Sequence, residues 1–447
     1  MARFRTTSSR SSGSESPAAL FHDLSDRADS IKYLWAHQKE LLDAYSEDHL
    51  DSSDVALELP TGAGKTLVGL LIAEFRRRAY GERVAYMCPT RQLARQVRAQ
   101  AESYGIPAHV FVRRQRAYDP TAFASFQQGE LTAVTTYCSV FNVNPRIDSA
   151  NVLIFDDAHS SETYLTGMWS LDIEREDNLK LFNAIVGLFR EWLPESFLAD
   201  DSPYLHSELI PSSIVRGHSA RLIELLDEHV EADTSPAYAL SLLRNHLDGC
   251  QCYLSQGRIL FRPLVPPTLS HRPFANAKQR VFMSATLGDG GELERIVGVR
   301  SISRIPIPSG WDKRGSGRRL FLLPEASMSE DEAQDTTLTL IKQAGRAVVL
   351  APTRSACQQS EAVLEQHDLE VFTAADIEDG LENFTATDQS ALVLSRYDGI
   401  DLPDDACRFL VFAGKPVGAN IQEHFMMSRL AAGPLLRDRI LTRFTQG

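Results

Sequence analysis

Seven residues, Pro60-Thr61-Gly62-Ala63-Gly64-Lys65-Thr66, constrain this chain more than any other stretch. An apolar run (Val55 to Leu59) leads into them and a second one (Leu67 to Ala73) leads out. A strand, a glycine-rich turn and a helix in that order form a cradle for nucleotide phosphates. Gly62 and Gly64 let the backbone curl, so that N–H groups from Thr61 to Gly64, Ala63 included, face an anion. The helix that starts near Lys65 adds the positive end of its dipole. Lys65 itself reaches toward β- and γ-phosphates, and Thr66 offers a hydroxyl to Mg²⁺. The strict pattern wants glycine where Leu59 stands, so this is a variant of the loop.

A second run, Asn151 to Phe155, ends in Asp156-Asp157-Ala158-His159. Two carboxylates side by side at a strand end repel, and burial raises the pKa of one of them. A divalent cation removes that cost. Asp156 would hold Mg²⁺, and Asp157 would orient or deprotonate the water that attacks a γ-phosphate. For His159 two uses stay open: relaying nucleotide state to neighbouring loops, or capping the turn.

With these residues in place, the order of motifs resembles a bacterial superfamily 2 helicase of the DEAD/DEAH type over nearly the whole chain. Gln38 in Leu34-Trp35-Ala36-His37-Gln38 resembles the adenine-reading glutamine, and Cys88-Pro89-Thr90-Arg91-Gln92-Leu93 resembles a nucleic-acid backbone contact. Thr135-Thr136-Tyr137 resembles the next such contact, and Ser284-Ala285-Thr286 the segment that couples hydrolysis to strand movement. Arg396 to Pro403 resembles the late motif, in which Gly399 and Asp401 would face nucleotide across a cleft. The resemblance implies two RecA-like domains, ATP and Mg²⁺ as ligands, and a nucleic-acid partner, with DNA favoured over RNA. Two readings follow: an ATP-dependent helicase or translocase, or an ATP-gated binding subunit with little ATPase of its own.

Two departures bear on that choice. Asp157 stands where the family has glutamate, one methylene longer. A misplacement of about 1 Å can cost on the order of a hundredfold in rate. The chain also closes at Thr445-Gln446-Gly447, where the family continues Gln-x-x-Gly-Arg-x-x-Arg. An arginine finger is worth about 10³ to 10⁵ in turnover. The expectation is therefore a second domain cut within its last motif, weak intrinsic ATPase, and a partner chain that covers the open edge and completes hydrolysis.

Length and patterning divide the 447 residues as follows. Residues 1–19 read as a polar, disordered tail and 20–299 as the first α/β domain. A mainly helical insertion occupies about 161–276, with a hairpin through Cys252 and Ile259. Residues 300–317 are a linker, and 318–447 a second α/β domain with runs at 319–323, 346–351, 370–373, 391–395 and 409–412. The alternation of short apolar runs with helical patterns predicts parallel sheets, with ligands at the strand C-termini.

Net charge is −13, so any nucleic-acid footprint must be local. Between Glu74 and Arg116 there are ten arginines against three acids. Arg91 and Arg95 are the candidates there for phosphate contact. Thr353-Arg354 either touch nucleic acid or form an ordinary strand-end turn, and Tyr33 and Trp35 either stack on adenine or pack in the core, the commoner use. His246, Cys250 and Cys252 fall short of the four ligands of a structural zinc site. Six scattered cysteines, no signal core and no apolar run of about 20 residues point to a cytoplasmic chain without a membrane span.

Overall fold

The computed structural model describes residues 14–25, 27, 33–60, 62–112, 117–195, 197, 207–287, 290–307, 320–378, 380–395, 402, 406–414 and 420–432. In chain order its first strands are β1 (Asp54–Glu58), β2 (Val84–Cys88), β3 (Ala108–Phe111), β4 (Thr132–Thr136) and β5 (Val152–Asp156). Then come β6 (Leu171–Glu174), β7 (Ser207–Ile210), β8 (Gln251–Ser255), β9 (Arg258–Arg262), β10 (Gln279–Ser284) and β11 (Ser303–Ile305). Seven of them form one sheet in the order β11-β1-β10-β5-β2-β4-β3, with every pairing parallel.

Strand side chains alternate between faces, and here both faces are covered. Val55, Leu57, Tyr86, Ile154 and Met283 pack toward the helices Lys65–Tyr80 and Arg91–Ser103. Ala56, Met87, Phe111, Phe155 and Phe282 pack on the opposite side with Phe126, Phe274 and Leu293. At the N-terminal ends of β1 and β10, Arg280 is paired in register with Asp54 and grips it with two hydrogen bonds of 2.6 and 2.7 Å. A third guanidinium bond reaches Phe274 O at 2.9 Å. Beside it the fully buried Gln279 accepts from Tyr45 and Arg76 and donates to the carbonyls of His49, Leu50 and Ser52.

The second α/β unit carries β12 (Arg346–Leu350), β13 (Glu370–Phe372), β14 (Ser390–Leu394) and β15 (Leu410–Phe412), parallel in the order β13-β14-β12-β15. The expected α/β class with two parallel sheets is what the structure has.

Four details differ from the sequence reading. The insertion contains a four-stranded antiparallel sheet, β6-β9-β8-β7, and only its β8–β9 hairpin was legible. β6 and β7 are four residues each, too short to show a period against their helical neighbours. The expected linker at 300–317 contains β11, which closes the first sheet beside β1. The run at 319–323 is not a strand in its described part: Leu320 to Leu323 are exposed and lead into a short turn at Pro324–Ala326. Order also starts earlier than residue 20, because Ser16 caps Pro17–Leu20 and Ala18, Leu20, Phe21 and Leu24 are buried in the core.

One face of the insertion sheet (Leu171, Ile173, Cys252, Leu254, Ile259, Phe261) packs on its own helices. The other face presents Tyr253, Leu260 and Leu209 to Ile421 and Phe425 on the helix Ile421–Ser428. Gln422 from that helix bonds Gln251, Tyr253 and Arg262, and Arg429 pairs with Glu208. Among the described residues no helix is long and apolar enough to cross a membrane.

Truncating Asp54 leaves the Arg280 guanidinium buried without its counter-charge. Asp54→Ala should therefore destabilise the first α/β unit by about 3–5 kcal/mol, read as a shift in denaturant midpoint.

Candidate functional site

The phosphate loop is anchored at both ends. Leu59 N–H donates to Ser284 O at 2.9 Å, which ties the loop to β10, and Ala63 N–H closes a turn on Pro60 O at 3.1 Å. Gly62 and Gly64 have φ of 80° and 78°, the left-handed region that a side chain resists. At Gly64 there is a second reason for glycine: an added Cβ would lie 2.2 Å from Gln38 Nε2. That amide nitrogen donates to Ala63 O at 3.1 Å, His37 Nε2 contacts the same oxygen at 3.0 Å, and Gln38 Oε1 accepts from Trp35 N–H at 3.0 Å. Gln38, expected to read adenine, is thus buried and braces the loop from behind. Thr61 lies outside the described residues.

Gly64 caps the sixteen-residue helix Lys65–Tyr80, whose first N–H groups point into the loop. Lys65 does not stand open: its ammonium is ion-paired with Asp157. Thr66 follows, half-buried, in the first turn.

The acid pair ends β5. Asp156 is 6% exposed. Burial, then the neighbouring Asp157 carboxylate, push its carboxyl well above the usual range. Burial opposes ionisation of Asp157 as well, but the Lys65 ammonium and His159 outweigh it and hold that carboxyl below the usual range. Asp157 is itself left-handed, with φ of 50°, a conformation aspartate tolerates better than most residues. The chain turns there into Ala158–Ser160. His159 Nδ1 meets Ser284 Oγ at 2.7 Å and its Nε2 meets Ser160 Oγ at 2.9 Å, while Thr286 N–H donates to Ser284 Oγ at 3.3 Å. The structure therefore joins Lys65, Asp156, Asp157, His159, Ser284 and Thr286 in one cluster at the strand C-termini.

The residue types suit a magnesium nucleotide. A hard-oxygen carboxylate disfavoured as an anion lies beside a lysine and a helix start that favour anions, a set of groups that would suit a divalent cation and phosphate together. Space above the loop is open at Gly62, where a methyl group added to the backbone would meet no described residue within 4 Å. Among the described residues no group of three or more His, Cys, Asp or Glu forms a separate metal cluster. Cys250 and Cys252 lie in the insertion core.

The candidate nucleic-acid residues separate into two sets. Pro89, Thr90 and Arg91 follow β2, and Thr90 Oγ1 caps the next helix by accepting from Leu93 N–H at 3.2 Å. Thr353 and Arg354 follow β12 in the same way, with Thr353 Oγ1 accepting from Ala356 N–H at 3.1 Å and Arg354 exposed. Thr135 differs from expectation: it is fully buried within a strand covered on both faces, and its hydroxyl donates to Phe111 O on the neighbouring β3 at 2.5 Å. Thr136 is also buried and pairs with Ser139 at 3.1 Å. Arg91 is paired with Glu378 at 2.7 Å, and Arg95 donates to Glu378 O, so both contact the second unit. Gly399 and Asp401 lie outside the described residues. Tyr33 and Trp35 are not core residues, at 71% and 47% exposed. Sequence reasoning missed His37, Tyr164 and Glu378, none of which carries a spacing signal.

Residues 35–169, which hold the phosphate loop and the acid pair, match the family model for the DEAD/DEAH box helicase. The chain carries a DEAD/DEAH box helicase domain. No curated protein sequence matches the chain. Among solved structures, S. tokodaii Xpd4 aligns over 92% of this chain and 91% of its own, at 15% identity and a TM-score of 0.51. An XPD helicase aligns over 93% of each at 13% identity and 0.52, and an apo XPD over 88% and 89% at 16% and 0.52. At such identities the likeness is one of fold, and the fold is the RecA-like helicase fold.

Asp156 adds a pH signature to the helicase domain. Its pKa is raised in the folded state, so the folded protein holds a proton that the unfolded chain has released. Stability from this group is then complete below about 3.9 and is lost as pH rises through the raised value. Without metal or nucleotide, Asp156→Asn should melt higher than the unsubstituted protein at pH 8, and the difference should shrink as pH falls.

Proposed function

We propose that the chain is an ATP-dependent nucleic-acid motor, a helicase or translocase acting on DNA. The observation that carries this reading is the Lys65–Asp157 ion pair, formed where the phosphate loop meets β5 with Asp156 buried alongside. In this reading Lys65 leaves Asp157 for the β- and γ-phosphates of ATP, while backbone N–H groups from Thr61 to Gly64 line them. Thr66 and Asp156 would hold Mg²⁺, which would supply charge neutralisation at the phosphates. Asp157, released from Lys65, orients the attacking water. His159, through Ser284 and Thr286, senses the state of that carboxylate. Gly399 and Asp401 are assigned the nucleotide's far side.

Pro89, Thr90, Arg91 and Thr136 are assigned the phosphodiester backbone on the first domain, and Thr353 and Arg354 on the second. Thr135 is assigned only a supporting place beneath that surface, since its hydroxyl is spent inside the sheet. The arginine-rich stretch from Glu74 to Arg116 supports a polyanion there, and phosphate-dominated binding should weaken steeply with salt. DNA is preferred because the long insertion between Asp157 and Ser284 resembles that of DNA-processing relatives. Scattered cysteines suit a reducing cytoplasm.

The shorter Asp157 favours a second reading, an ATP-gated clamp on nucleic acid with slow turnover. Lys65→Ala should weaken ATP binding at least about tenfold and abolish ATPase stimulated by single-stranded DNA; intact nucleotide affinity would overturn both readings. Asp157→Glu separates them. If reach limits hydrolysis, the longer carboxylate should raise kcat by about tenfold or more; an unchanged or lower kcat speaks for the motor with aspartate in its native place.

A further inference from the structure

Two tyrosines lie between the acid pair and the turn assigned to nucleic acid. Tyr137 begins the short helix after β4 and is fully buried, and its hydroxyl donates to the backbone carbonyl of Asp156 at 2.5 Å. Tyr164 stands on the helix Ser161–Met168, and its ring centroid is 5.4 Å from that of Tyr137, with 34° between the planes. The Tyr164 hydroxyl donates to Pro89 O at 2.8 Å, immediately before Thr90 and Arg91. A hydrogen bond, two packed rings and a second hydrogen bond therefore link the carbonyl at the end of β5 to the carbonyl after β2. These strands are direct neighbours in the sheet.

Packing alone does not ask for these hydroxyls. Phenylalanine would fill the same space without burying a polar group, which must find a partner when removed from water. Each hydroxyl has taken a main-chain carbonyl at a functional turn. The carbonyl held by Tyr137 belongs to the peptide unit between Asp156 and Asp157. Orientation of that peptide plane sets φ at Asp157, which is left-handed, and so sets where the Asp157 carboxylate points. A bond that locks this plane positions the carboxylate that faces Lys65.

We infer that Tyr137 is a positioning residue for Asp157, and that Tyr164 ties its setting to occupancy of the Pro89–Thr90 turn by nucleic acid. This rests on the functional reading above. A phosphodiester drawn onto Thr90 and Arg91 displaces the Pro89 carbonyl, and the shift reaches the Asp156–Asp157 peptide through the two rings. Tyr137 thus bears on the chemical step, and Tyr164 on its stimulation by nucleic acid.

The test uses the full chain with Tyr137→Phe and Tyr164→Phe, which remove one oxygen each and keep the rings. ATPase is measured with and without oligo-dT, alongside oligo-dT affinity and melting temperature. Tyr137→Phe should lower kcat about tenfold at unchanged KM for ATP, the pattern of a lost transition-state alignment rather than lost binding. Tyr164→Phe should keep basal turnover and oligo-dT affinity but lose at least about fivefold of the stimulation ratio. Wild-type kcat in the first variant and wild-type stimulation in the second overturn the inference. So does a loss that tracks a lower melting temperature and a raised KM, which marks a merely structural role. Absence of any stimulated ATPase in the unsubstituted protein overturns the functional reading itself, and this inference with it.

Discussion

Two adjacent carboxylates at the end of a central strand, Asp156 buried and Asp157 partly so, are the constraint around which the first domain is arranged. β5 is the fourth of seven strands, so Asp156 at its end is enclosed by neighbours on both sides and cannot turn to solvent as it could at an edge. Two like charges in such a place cannot both ionise without help. The protein divides the load: Asp157 takes the Lys65 ammonium and stays ionised, and Asp156 is left disfavoured as an anion. Every neighbour then acquires a function. The loop that delivers Lys65 must be held, which Gln38 and His37 do at Ala63 O. The turn that follows Asp157 must be held too, which His159 does through Ser284.

The same local construction recurs in the second unit. Pro89-Thr90-Arg91 after β2 and Pro352-Thr353-Arg354 after β12 each place a threonine as helix cap and an arginine at the first helical position. A capping threonine satisfies a helix-start N–H with its hydroxyl and leaves the arginine at the surface. Two such turns at the C-terminal ends of two sheets repeat one local construction, as expected of domains built alike. In the present arrangement the first of them is closed by Glu378 from the second unit, through Arg91 and Arg95. The insertion supplies a further attachment. Its sheet is covered on one side by its own helices and on the other by the helix Ile421–Ser428, so that Tyr253 and Leu260 lie beneath Ile421 and Phe425. The hydrogen bonds of Gln422 fix the register of that contact. Among the described residues, then, Glu378 bonds the first unit directly, and the helix Ile421–Ser428 packs on the insertion.

Much of this was legible in the residue order. Runs such as Val84–Cys88 and Ala391–Ser395 became strands because a parallel sheet buried on both faces demands continuous apolar stretches. The loop and acid pair were visible because their chemistry needs glycine, lysine and aspartate at set spacing. The four-residue strands β6 and β7 left no such trace, and the β-prone run Leu320–Leu323 misled, since pairing depends on which edge lies within reach. Thr135 had the right neighbours but no free surface, because β4 is covered on both faces and all five of its residues are buried.

Sequence alone determined the alternation of apolar strand runs with helices in the two α/β units and the places of the glycine-rich loop and the paired acids, because those follow from local spacing and residue type. Only the tertiary structure decided that Gln38 supports the loop, that Lys65 is held by Asp157, that Tyr137 and Tyr164 bridge two strand ends, and that a distant helix covers the insertion. Those contacts join residues far apart along the chain, and their geometry arises from how twisted sheets and helices pack, which no short window of residues encodes.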